Sequence, residues 1–359
     1  CECGRLNMKQ IPVILLGAGG VGQALLGQIV ATRAQVAARA NARFNVVTVA
    51  DSQTWRWQPE GLDDATLQEL VALKRSRQPI GAPRPAPVEI IVEACDAGLE
   101  GALLVDVTAA KGMEPALNAA LDAGYGVVLA NKKPLAGPWE GAQRFFAEPR
   151  LRHESTVGGG QPVIATLRTL LDTGDEVLRI EGQLSGTLGY ICRRLDEGTR
   201  FSVALAAAKA HGYTEPDPRE DLGGKDVMRK LLILGRMAGW SMEAEEIEVE
   251  SLYPSALAHL DVNEFMLASL ALDPSFQERA SAAGAAGEVL RYVAELADGR
   301  GRVGLKAVPV ESPLANLKYV SFQTGRYDDE PLIIAGKGAG VEMTAAGVLG
   351  DMIALAREM

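Results

Sequence analysis

Short apolar runs alternate with helical patterns along the first part of the chain. IPVILL (11–16) and FNVVTVA (44–50) flank a long helical pattern, and further apolar runs follow at VEIIVEAC (88–95), ALLVDVTA (102–109) and YGVVLAN (125–131). Runs of this kind are typical of strands that are buried on both faces. Because helical segments such as EPALNAALDAG separate them, the pattern predicts an α/β fold with a doubly wound parallel sheet.

The remaining patterns predict a mixture of strands and helices. Residues 52–86 are interpreted as an insertion with a Trp-containing loop, a helix and a Pro-rich stretch. LRIEGQLSGTLGYI (178–191) is typical of a strand that runs into Ser185-Gly186-Thr187. VSFQTGRYDDEPLIIAG (320–336) has strand character that suits either an internal strand or a sheet shared between subunits. Helices are predicted at VALAAAKAHGY with Gly212 as C-cap, at KDVMRKLLILGRMAG, and at the C-terminus with Thr344 as N-cap.

Length, charge and cysteine content narrow the class of protein. The 359 residues exceed what one hydrophobic core usually absorbs, so two domains are expected. The net charge of -10 argues against a nucleic-acid partner. The chain has no run of about 18 apolar residues, so no membrane-spanning helix is predicted. The cysteines Cys1, Cys3, Cys95 and Cys192 form no disulfide pattern and favour a reducing, cytoplasmic location. Residues 1–7 precede Met8 and are interpreted as an added or upstream extension.

A glycine-rich turn joins the first apolar run to the first helix. Its sequence, Gly17-Ala18-Gly19-Gly20-Val21-Gly22, has the spacing G-x-G-x-x-G. In dinucleotide-binding folds the first glycine allows the turn, the second lets a pyrophosphate approach the backbone, and the third lets helix and strand pack closely. The N-terminus of the helix then offers N–H groups to the phosphates. The turn therefore predicts a dinucleotide site, and the alternative is a glycine-rich turn of another α/β fold.

Two residues near the end of the second apolar run bear on the choice of dinucleotide. Asp51 could accept a hydrogen bond from the adenosine ribose, which favours NAD. Arg56 lies five residues further on and could instead meet the 2′-phosphate of NADP. The sequence leaves both cofactors open.

Polar residues also follow the next strands. Thr108 comes after one apolar run, and Asn131-Lys132-Lys133 comes after another. Ligands of open α/β sheets bind beyond the carboxyl ends of the strands, so a hydroxyl and an ammonium group there could face a nicotinamide and its substrate. The alternative is that the lysines are surface residues of a turn.

Three consecutive glycines, Gly158, Gly159 and Gly160, require a hard turn or a close backbone approach. The carbonyl groups of such a turn could bind a monovalent cation. Without further context the residues favour a simple hinge.

The stretch EPDPREDLGGKDVMRK (215–230) concentrates charge between two apolar segments. Asp226 and Lys230 are four residues apart on the predicted helix and share one face. Together with Glu215 they suit a small amino acid, because carboxylates bind its ammonium group and a lysine can move a proton at its hydroxyl or carbonyl. The alternative is a surface ion pair of little energetic consequence.

Over nearly its whole length the sequence resembles homoserine dehydrogenases. The matching motifs are GAGGVG (17–22), DVTA (106–109), NKKPLA (131–136), HESTVGGGQP (153–162), GQLSGTLGYI (182–191), GYTEPDPREDLGGKDVMRKLLIL (212–234) and GKGAGVEMTAAGVLGDMI (336–353). The charged stretch is the most specific of them. The length resembles the short, monofunctional form of the family, without a kinase or regulatory region.

The resemblance implies the reversible reduction of aspartate semialdehyde to homoserine with NADPH or NADH. Lys230 would donate the proton, with Lys132 close by, although the sequence leaves open which of the two lysines is the final donor. The substrate would be bound by Glu215, Asp226 and Asp221. The implied cofactor-binding residues are Gly17, Gly19, Gly20, Val21, Gly22, Asp51, Thr108, Ala109, Lys132 and Gly340. A sodium or potassium ion would be held by Glu154, Val157, Gly159 and Gln161. Ala109 stands where the family commonly has serine, and Gln161 where it often has leucine.

The resemblance also implies a domain plan and a homodimer. Residues 1–154 and 337–359 would form a Rossmann-type nucleotide domain to which the C-terminal helix returns. Residues 155–300 would form an α+β substrate domain, and residues 301–336 a strand segment that contributes to dimerisation.

Two alternative functions fit the sequence less well. An aldehyde dehydrogenase would need an activated cysteine, and neither Cys95 nor Cys192 has a flanking histidine. A nucleotide-sensing protein without chemistry has no reason to keep Glu215, Asp226 and Lys230 together.

Overall fold

The computed structural model describes residues 8–359. The strands, in chain order, are β1 (Lys9–Leu16), β2 (Ala42–Ala50), β3 (Thr54–Trp57), β4 (Ala82–Pro83), β5 (Leu103–Asp106), β6 (Gly126–Leu129), β7 (Leu151–Arg152), β8 (Val177–Gly182), β9 (Ile247–Val249), β10 (Glu288–Ala297), β11 (Arg300–Pro309), β12 (Tyr319–Thr324) and β13 (Leu332–Ala335).

The α-helices are α1 (Gly20–Ala40), α2 (Asp64–Arg75), α3 (Pro87–Asp96), α4 (Glu114–Asp122), α5 (Trp139–Ala147), α6 (Val163–Asp172), α7 (Gly186–Asp196), α8 (Phe201–Ala210), α9 (Arg219–Leu222), α10 (Lys225–Met237), α11 (Val262–Ala268), α12 (Asp273–Ala285) and α13 (Val341–Glu358). No helix among the described residues is long and apolar enough to cross a membrane.

The chain divides into two compact units. The first comprises the residues up to Ile164 together with Gly338–Met359, and the second comprises Ala165–Lys337. The strands within 301–336 belong to the same sheet as β8 and β10. The assignment of roles to domains stays a prediction.

The first unit is built on a sheet with the strand order β4-β3-β2-β1-β5-β6-β7. The strands from β2 to β7 in this order are parallel, and β3 and β4 add an antiparallel edge. Val13 and Leu15 of β1 belong to the same core cluster as residues of α1 and α13. Ile14 alternates to the opposite face and is also fully buried. Burial of both faces confirms the predicted parallel sheet of the α/β class.

The predicted strand at 88–95 is wrong, because this segment forms α3. Pro87 occupies the first turn of the helix, where its missing N–H costs nothing. The Glu89 carboxylate accepts a hydrogen bond from the Ala86 N–H at 2.7 Å, which caps the helix. Ile90, Ile91 and Ala94 form the buried stripe, with helical spacing.

Two further local predictions need correction. The Trp-containing segment is a strand rather than a loop, because Trp55 and Trp57 of β3 lie opposite Ala50 and Thr48 of β2. Thr344 is not the N-cap of the last helix, since α13 already begins at Val341. The Thr344 N–H and hydroxyl both donate to the Gly340 carbonyl at 3.0 Å, so Thr344 lies inside the first turn.

The second unit contains a mixed sheet with the order β13-β12-β8-β10-β11-β9. The segment 320–336 therefore contributes β12 inside this sheet and β13 at its edge. Helices α7, α10 and α12 pack on β10. Val227, Leu231 and Leu234 of α10 are buried, as the helical pattern predicted. Gly224 precedes α10 with a φ of 68°, a left-handed conformation that favours glycine.

The C-terminal helix is tied to the first unit by a buried hydrogen bond. The Glu154 N–H donates to the Asp351 carboxylate of α13 at 2.7 Å, and Asp351 is only 8% exposed. The Arg152 guanidinium also forms an ion pair with Glu358. Helix α13 therefore belongs to the first unit, and the role of that unit as the nucleotide domain stays a prediction.

We expect Asp351→Ala to lower the free energy of unfolding by about 1–3 kcal/mol, because the buried Glu154 N–H loses its acceptor. Asp351→Asn retains an acceptor oxygen and is expected to lose less. Urea unfolding of the two variants beside the wild type measures the difference. Equal stability of all three proteins would contradict the role of this hydrogen bond.

Candidate active site

The glycine-rich turn has the geometry of a dinucleotide-binding loop. Gly17 has a φ of 112° at the end of β1. A Cβ atom built on Gly22 would lie 1.9 Å from the Gly17 carbonyl oxygen, so only glycine lets α1 approach the strand this closely. A Cβ atom built on Gly19 would meet nothing within 4 Å, which leaves its backbone open on one side. In this loop Gly22 therefore allows close packing of helix and strand, whereas Gly19 has a backbone that a ligand can approach.

A polar cluster lies where β5 and β6 end. The Asp106 side chain accepts hydrogen bonds from the Thr108 N–H at 2.8 Å and from the Asn131 amide at 3.0 Å. The Asn131 amide also donates to the Ala110 carbonyl at 3.0 Å. Burial raises the pKa of Asp106, and these hydrogen bonds oppose that effect. The cluster holds Thr108 and the start of the Asn131-Lys132-Lys133 loop in fixed positions.

The structure brings part of the predicted nicotinamide site together. Thr108 and Ala109 lie on the loop after β5, and the Lys133 ammonium group donates to the Ala109 carbonyl. Lys132 lies on the neighbouring loop after β6, and its carbonyl accepts from the Ala136 N–H. The pairing of Asp106 with Asn131 was not predicted, although both residues stand at strand ends in the sequence.

The Asp51 carboxylate already has several partners within the first unit. Its carboxylate forms an ion pair with Lys74 of α2 at 2.7 Å and accepts hydrogen bonds from the Gln53 and Thr54 N–H groups. Burial opposes ionisation, but these partners outweigh it and hold the pKa of Asp51 below its usual value. Arg56 directs its Nε donor to the Ile80 carbonyl at 3.1 Å. The ammonium group beside Asp51 was not expected from the sequence.

The triple-glycine turn packs against the last glycine loop of the first unit. Gly158 and Gly159 have positive φ angles of 79° and 63°. A Cβ atom on Gly159 would lie 1.8 Å from the Gly338 carbonyl oxygen. The buried Glu154 carboxylate accepts a hydrogen bond from the Ile164 N–H at 2.7 Å, and the Gln161 N–H donates to the Gly158 carbonyl. The close approach of the Gly338 carbonyl and the positive φ angles explain why glycines are needed in this turn, so no hinge has to be invoked.

The other predicted cation ligands and Gly340 lie in the same region of the first unit. The Val157 N–H donates to the Glu154 carbonyl at 3.3 Å, and Gly340 precedes α13 with a φ of 118°. Among residues 8–359, no group of three or more His, Cys, Asp or Glu side chains is arranged to bind a metal ion. A cation here would rely on backbone carbonyl groups.

In the second unit, Lys230 is held by two oxygen atoms from different elements. Its ammonium group lies 2.6 Å from the Asp226 carboxylate, one helical turn earlier, and donates to the Leu184 carbonyl at 2.8 Å. The Lys230 side chain is 17% exposed, whereas that of Asp226 is 47% exposed. Lys230 is therefore a fixed, largely buried cation rather than one half of a solvated surface pair.

Asp221 organises the loop before this helix. Its carboxylate accepts a hydrogen bond from the Glu215 N–H at 2.8 Å. Burial and the nearby Asp226 charge raise the pKa of Asp221, while the Glu215 N–H, the Thr187 hydroxyl and Lys230 act in the opposite direction. The structure thus brings Asp221, Asp226 and Lys230 together, with Glu215 on the exposed side of the loop.

A parallel sheet with an open glycine loop and a second unit with a buried lysine among carboxylates are together typical of a nicotinamide-nucleotide dehydrogenase. Residues 162–353 match the sequence profile described as homoserine dehydrogenase. The chain is 34% identical to homoserine dehydrogenase of Schizosaccharomyces pombe over 365 residues, 97% of this chain and 96% of that protein. It belongs to the homoserine dehydrogenase family.

Longer relatives agree with this assignment, and solved structures agree with the fold. The chain is 36% identical to a chloroplastic bifunctional aspartokinase/homoserine dehydrogenase of Zea mays over 98% of its length, and spans 39% of that protein. A crystal structure of a Candida auris protein of unknown function has a TM-score of 0.86 and 33% identity, with 97% and 98% of the two chains covered. A hyperthermophilic archaeal homoserine dehydrogenase in complex with NADPH has a TM-score of 0.74 at 23% identity, with 98% of each chain covered, and supports the fold.

Two glycine substitutions should separate packing from cofactor binding. Gly22→Ala is expected to destabilise the first unit by about 1–3 kcal/mol, because its methyl group would overlap the Gly17 carbonyl. Gly19→Ala has room for its methyl group and should keep the melting temperature, but should weaken NADPH binding by roughly 10-fold or more where the pyrophosphate approaches. Thermal melting and NADPH fluorescence titration measure both effects. Wild-type NADPH affinity in a folded Gly19→Ala protein would show that the loop does not hold the pyrophosphate.

Proposed function

We propose that the protein catalyses the reversible reduction of L-aspartate 4-semialdehyde to L-homoserine by NADPH or NADH. This reaction would serve the biosynthesis of threonine, methionine and isoleucine. The observation that carries the proposal is the Lys230 ammonium group, which Asp226 and the Leu184 carbonyl hold in a largely buried position. Family membership supports the same reaction.

Lys230 is proposed as the proton donor to the carbonyl oxygen of the substrate. An ammonium group has three N–H donors, and within the described chain Lys230 directs two of them to Asp226 and to Leu184. The third is assigned to the substrate oxygen. The reduced cofactor supplies the hydride to the carbonyl carbon, and proton transfer from Lys230 prevents an alkoxide from accumulating on the oxygen. Lys132 is proposed as the second lysine of the site on the basis of the resemblance.

The carboxylates are proposed to bind the ammonium group of the amino-acid substrate. Asp226 is half exposed and lies beside Lys230, while Asp221 fixes the backbone at Glu215. Carboxylates in these positions favour a substrate that carries a positive charge. Glu215 would complete this set from the loop before α9.

NADP is proposed as the better cofactor. Asp51 already accepts hydrogen bonds from two backbone N–H groups and pairs with Lys74, so its capacity to accept ribose hydroxyl groups is reduced. The Lys74 ammonium group supplies a positive charge where a 2′-phosphate would lie. The NADPH complex of an archaeal protein with the same fold is consistent with this choice.

A monovalent cation is proposed at the triple-glycine turn. The donor set would be the carbonyl oxygens of Glu154, Val157 and Gly159, with Gln161. Oxygen ligands in a tight turn beside the buried Glu154 carboxylate fit a hard cation such as sodium or potassium. When bound, the ion would stabilise the turn and take no part in the transfer of hydride or proton.

A homodimer and a cytoplasmic location complete the proposal. Arg179, Glu181, Glu295 and Lys306 form a network of ion pairs across β8, β10 and β11, and the large apolar side chain of Ile333 is exposed on the edge strand β13. Such a surface suits a second copy of the chain. Cys95 and Cys192 are both free thiols, which agrees with a reducing compartment.

The aldehyde dehydrogenase alternative lacks a suitable nucleophile in the described residues. Burial raises the pKa of the Cys192 thiol to about 12. The Cys95 sulfur lies 3.5 Å from the Tyr125 hydroxyl, which is not a base that would generate a thiolate.

The direct test of the proposed function is homoserine-dependent reduction of NADP and NAD at alkaline pH. Lys230→Ala should lower kcat by about 10²–10⁴-fold, the usual contribution of a positioned acid–base group. Lys225→Ala, on the same helix but exposed, is the matched control and should retain activity. A folded wild-type protein that binds NADPH but oxidises no homoserine would contradict the proposal and favour a nucleotide sensor.

Cofactor preference is tested by Lys74→Met. We expect the ratio of kcat/KM for NADP to that for NAD to fall by about 10-fold, because a cation near the 2′-phosphate is lost and Asp51 is released. Arg75→Met, the adjacent exposed cation, should leave the ratio unchanged. An unchanged ratio in Lys74→Met would show that this lysine does not select the cofactor.

A further inference from the structure

A second ammonium group lies at the turn that holds Lys230. Leu184, whose carbonyl binds Lys230, is followed by Ser185 and by Gly186 at the start of α7. A Cβ atom built on Gly186 would lie 3.1 Å from the Nζ atom of Lys318. Lys318 thus reaches the same turn from the segment before β12, and the sequence patterns did not single it out.

The backbone on both sides of Lys318 is fixed by hydrogen bonds. The Gln183 N–H donates to the Tyr319 carbonyl at 3.0 Å, which aligns the start of β12 with the end of β8. The Gly336 N–H donates to the Lys318 carbonyl at 3.1 Å. Gly186 leaves the space that the ammonium group occupies, since a larger residue would be crowded by it. The hydrogen bonds of the sheet therefore fix the backbone position of Lys318.

The surroundings of Lys318 are positively charged. Partial burial lowers its pKa below the ordinary value, and the charges of Arg193, Lys230 and Lys337 lower it further. None of the ion pairs formed among residues 8–359 includes Lys318 or Arg193. Half-buried like charges repel one another, so their convergence costs free energy that an anion bound among them would offset.

The proposed substrate carries an anion of the required kind. An amino acid has an ammonium group, for which Asp226 and its neighbouring carboxylates are suited, and a carboxylate that needs a separate cation. Lys230 is already assigned to the reacting oxygen. The positive end of the α7 helix dipole adds to the preference for negative charge at the turn.

We propose that Lys318 is a specificity-determining residue that binds the α-carboxylate of the amino-acid substrate. This inference rests on the proposed function. It adds a contact between the Lys318 ammonium group and the substrate carboxylate, which would distinguish an amino acid from an amino alcohol. Asp226 and Lys318 would then recognise opposite charges of one substrate on the two sides of Lys230.

The test compares homoserine with 3-aminopropan-1-ol, which has the same reacting hydroxyl and amine but no carboxylate. In Lys318→Met we expect KM for homoserine to rise by about 10- to 100-fold, the effect of losing a charge-assisted hydrogen bond, with kcat within about 3-fold. Selectivity for homoserine over the amino alcohol should fall by the same factor. Lys318→Arg should restore most of the affinity.

Failure of the Lys318 role and failure of the proposed function would give different results. Lys225→Met is the matched control, and NADPH affinity and melting temperature report whether each variant is folded. An active wild type with unchanged KM and unchanged selectivity in Lys318→Met would overturn the role of Lys318 alone. A wild type that oxidises no homoserine would overturn the proposed function and this inference with it. A variant that loses kcat rather than affinity would also contradict carboxylate binding.

Discussion

The contact of the Lys230 ammonium group with the Leu184 carbonyl is the constraint on which the candidate substrate site depends. It joins α10 to the turn between β8 and α7, two segments far apart in the sequence. The helix can take this position because Gly224 precedes it, since a Cβ atom there would lie 2.1 Å from the Tyr292 hydroxyl oxygen. The packing of α10 on β10 thus fixes the direction in which Lys230 points.

The charged stretch at 215–230 contains two groups of charges with different partners. Arg219 pairs with Asp217 at 2.7 Å and donates to the Ala258 and Leu260 carbonyls, so these charges hold the loop in place. Asp226 and Lys230 instead form the proposed substrate-binding and proton-donating pair, in which Asp226 is half exposed and Lys230 is largely buried. One segment thus combines ion pairs that hold the loop with the groups proposed to act on the substrate.

Much of the fold could be predicted because its signals are local. Strands such as β1 are continuous apolar runs, and the glycine loop carries its own spacing. The errors occurred where local context outweighed an apolar run, as at α3, where Pro87 and the Glu89 cap decide the conformation. The Asp298-Gly299 pair, with both φ angles positive, joins β10 to β11 in a tight hairpin, and Asp-Gly is a local hairpin signal in a sequence.

The candidate site was predictable only in part, for a different reason. Asp226 and Lys230 are four residues apart on one helix, so their proximity follows from helical spacing. The pairing of Lys74 with Asp51 joins a helix to a strand end 23 residues away. Lys318 approaches Gly186 through pairing of β12 with β8. No short-range pattern carries such contacts, because sheet order decides them.

Isotope transfer tests most directly whether homoserine delivers a hydride to the cofactor. Homoserine with both hydrogens of the hydroxyl-bearing carbon replaced by deuterium would be incubated with NADP and the wild-type protein, and the mass of the NADPH formed would be measured. If the proposed reaction is correct, one deuterium atom moves from that carbon to the nicotinamide ring. Formation of unlabelled NADPH, or of none, would contradict direct hydride transfer from homoserine.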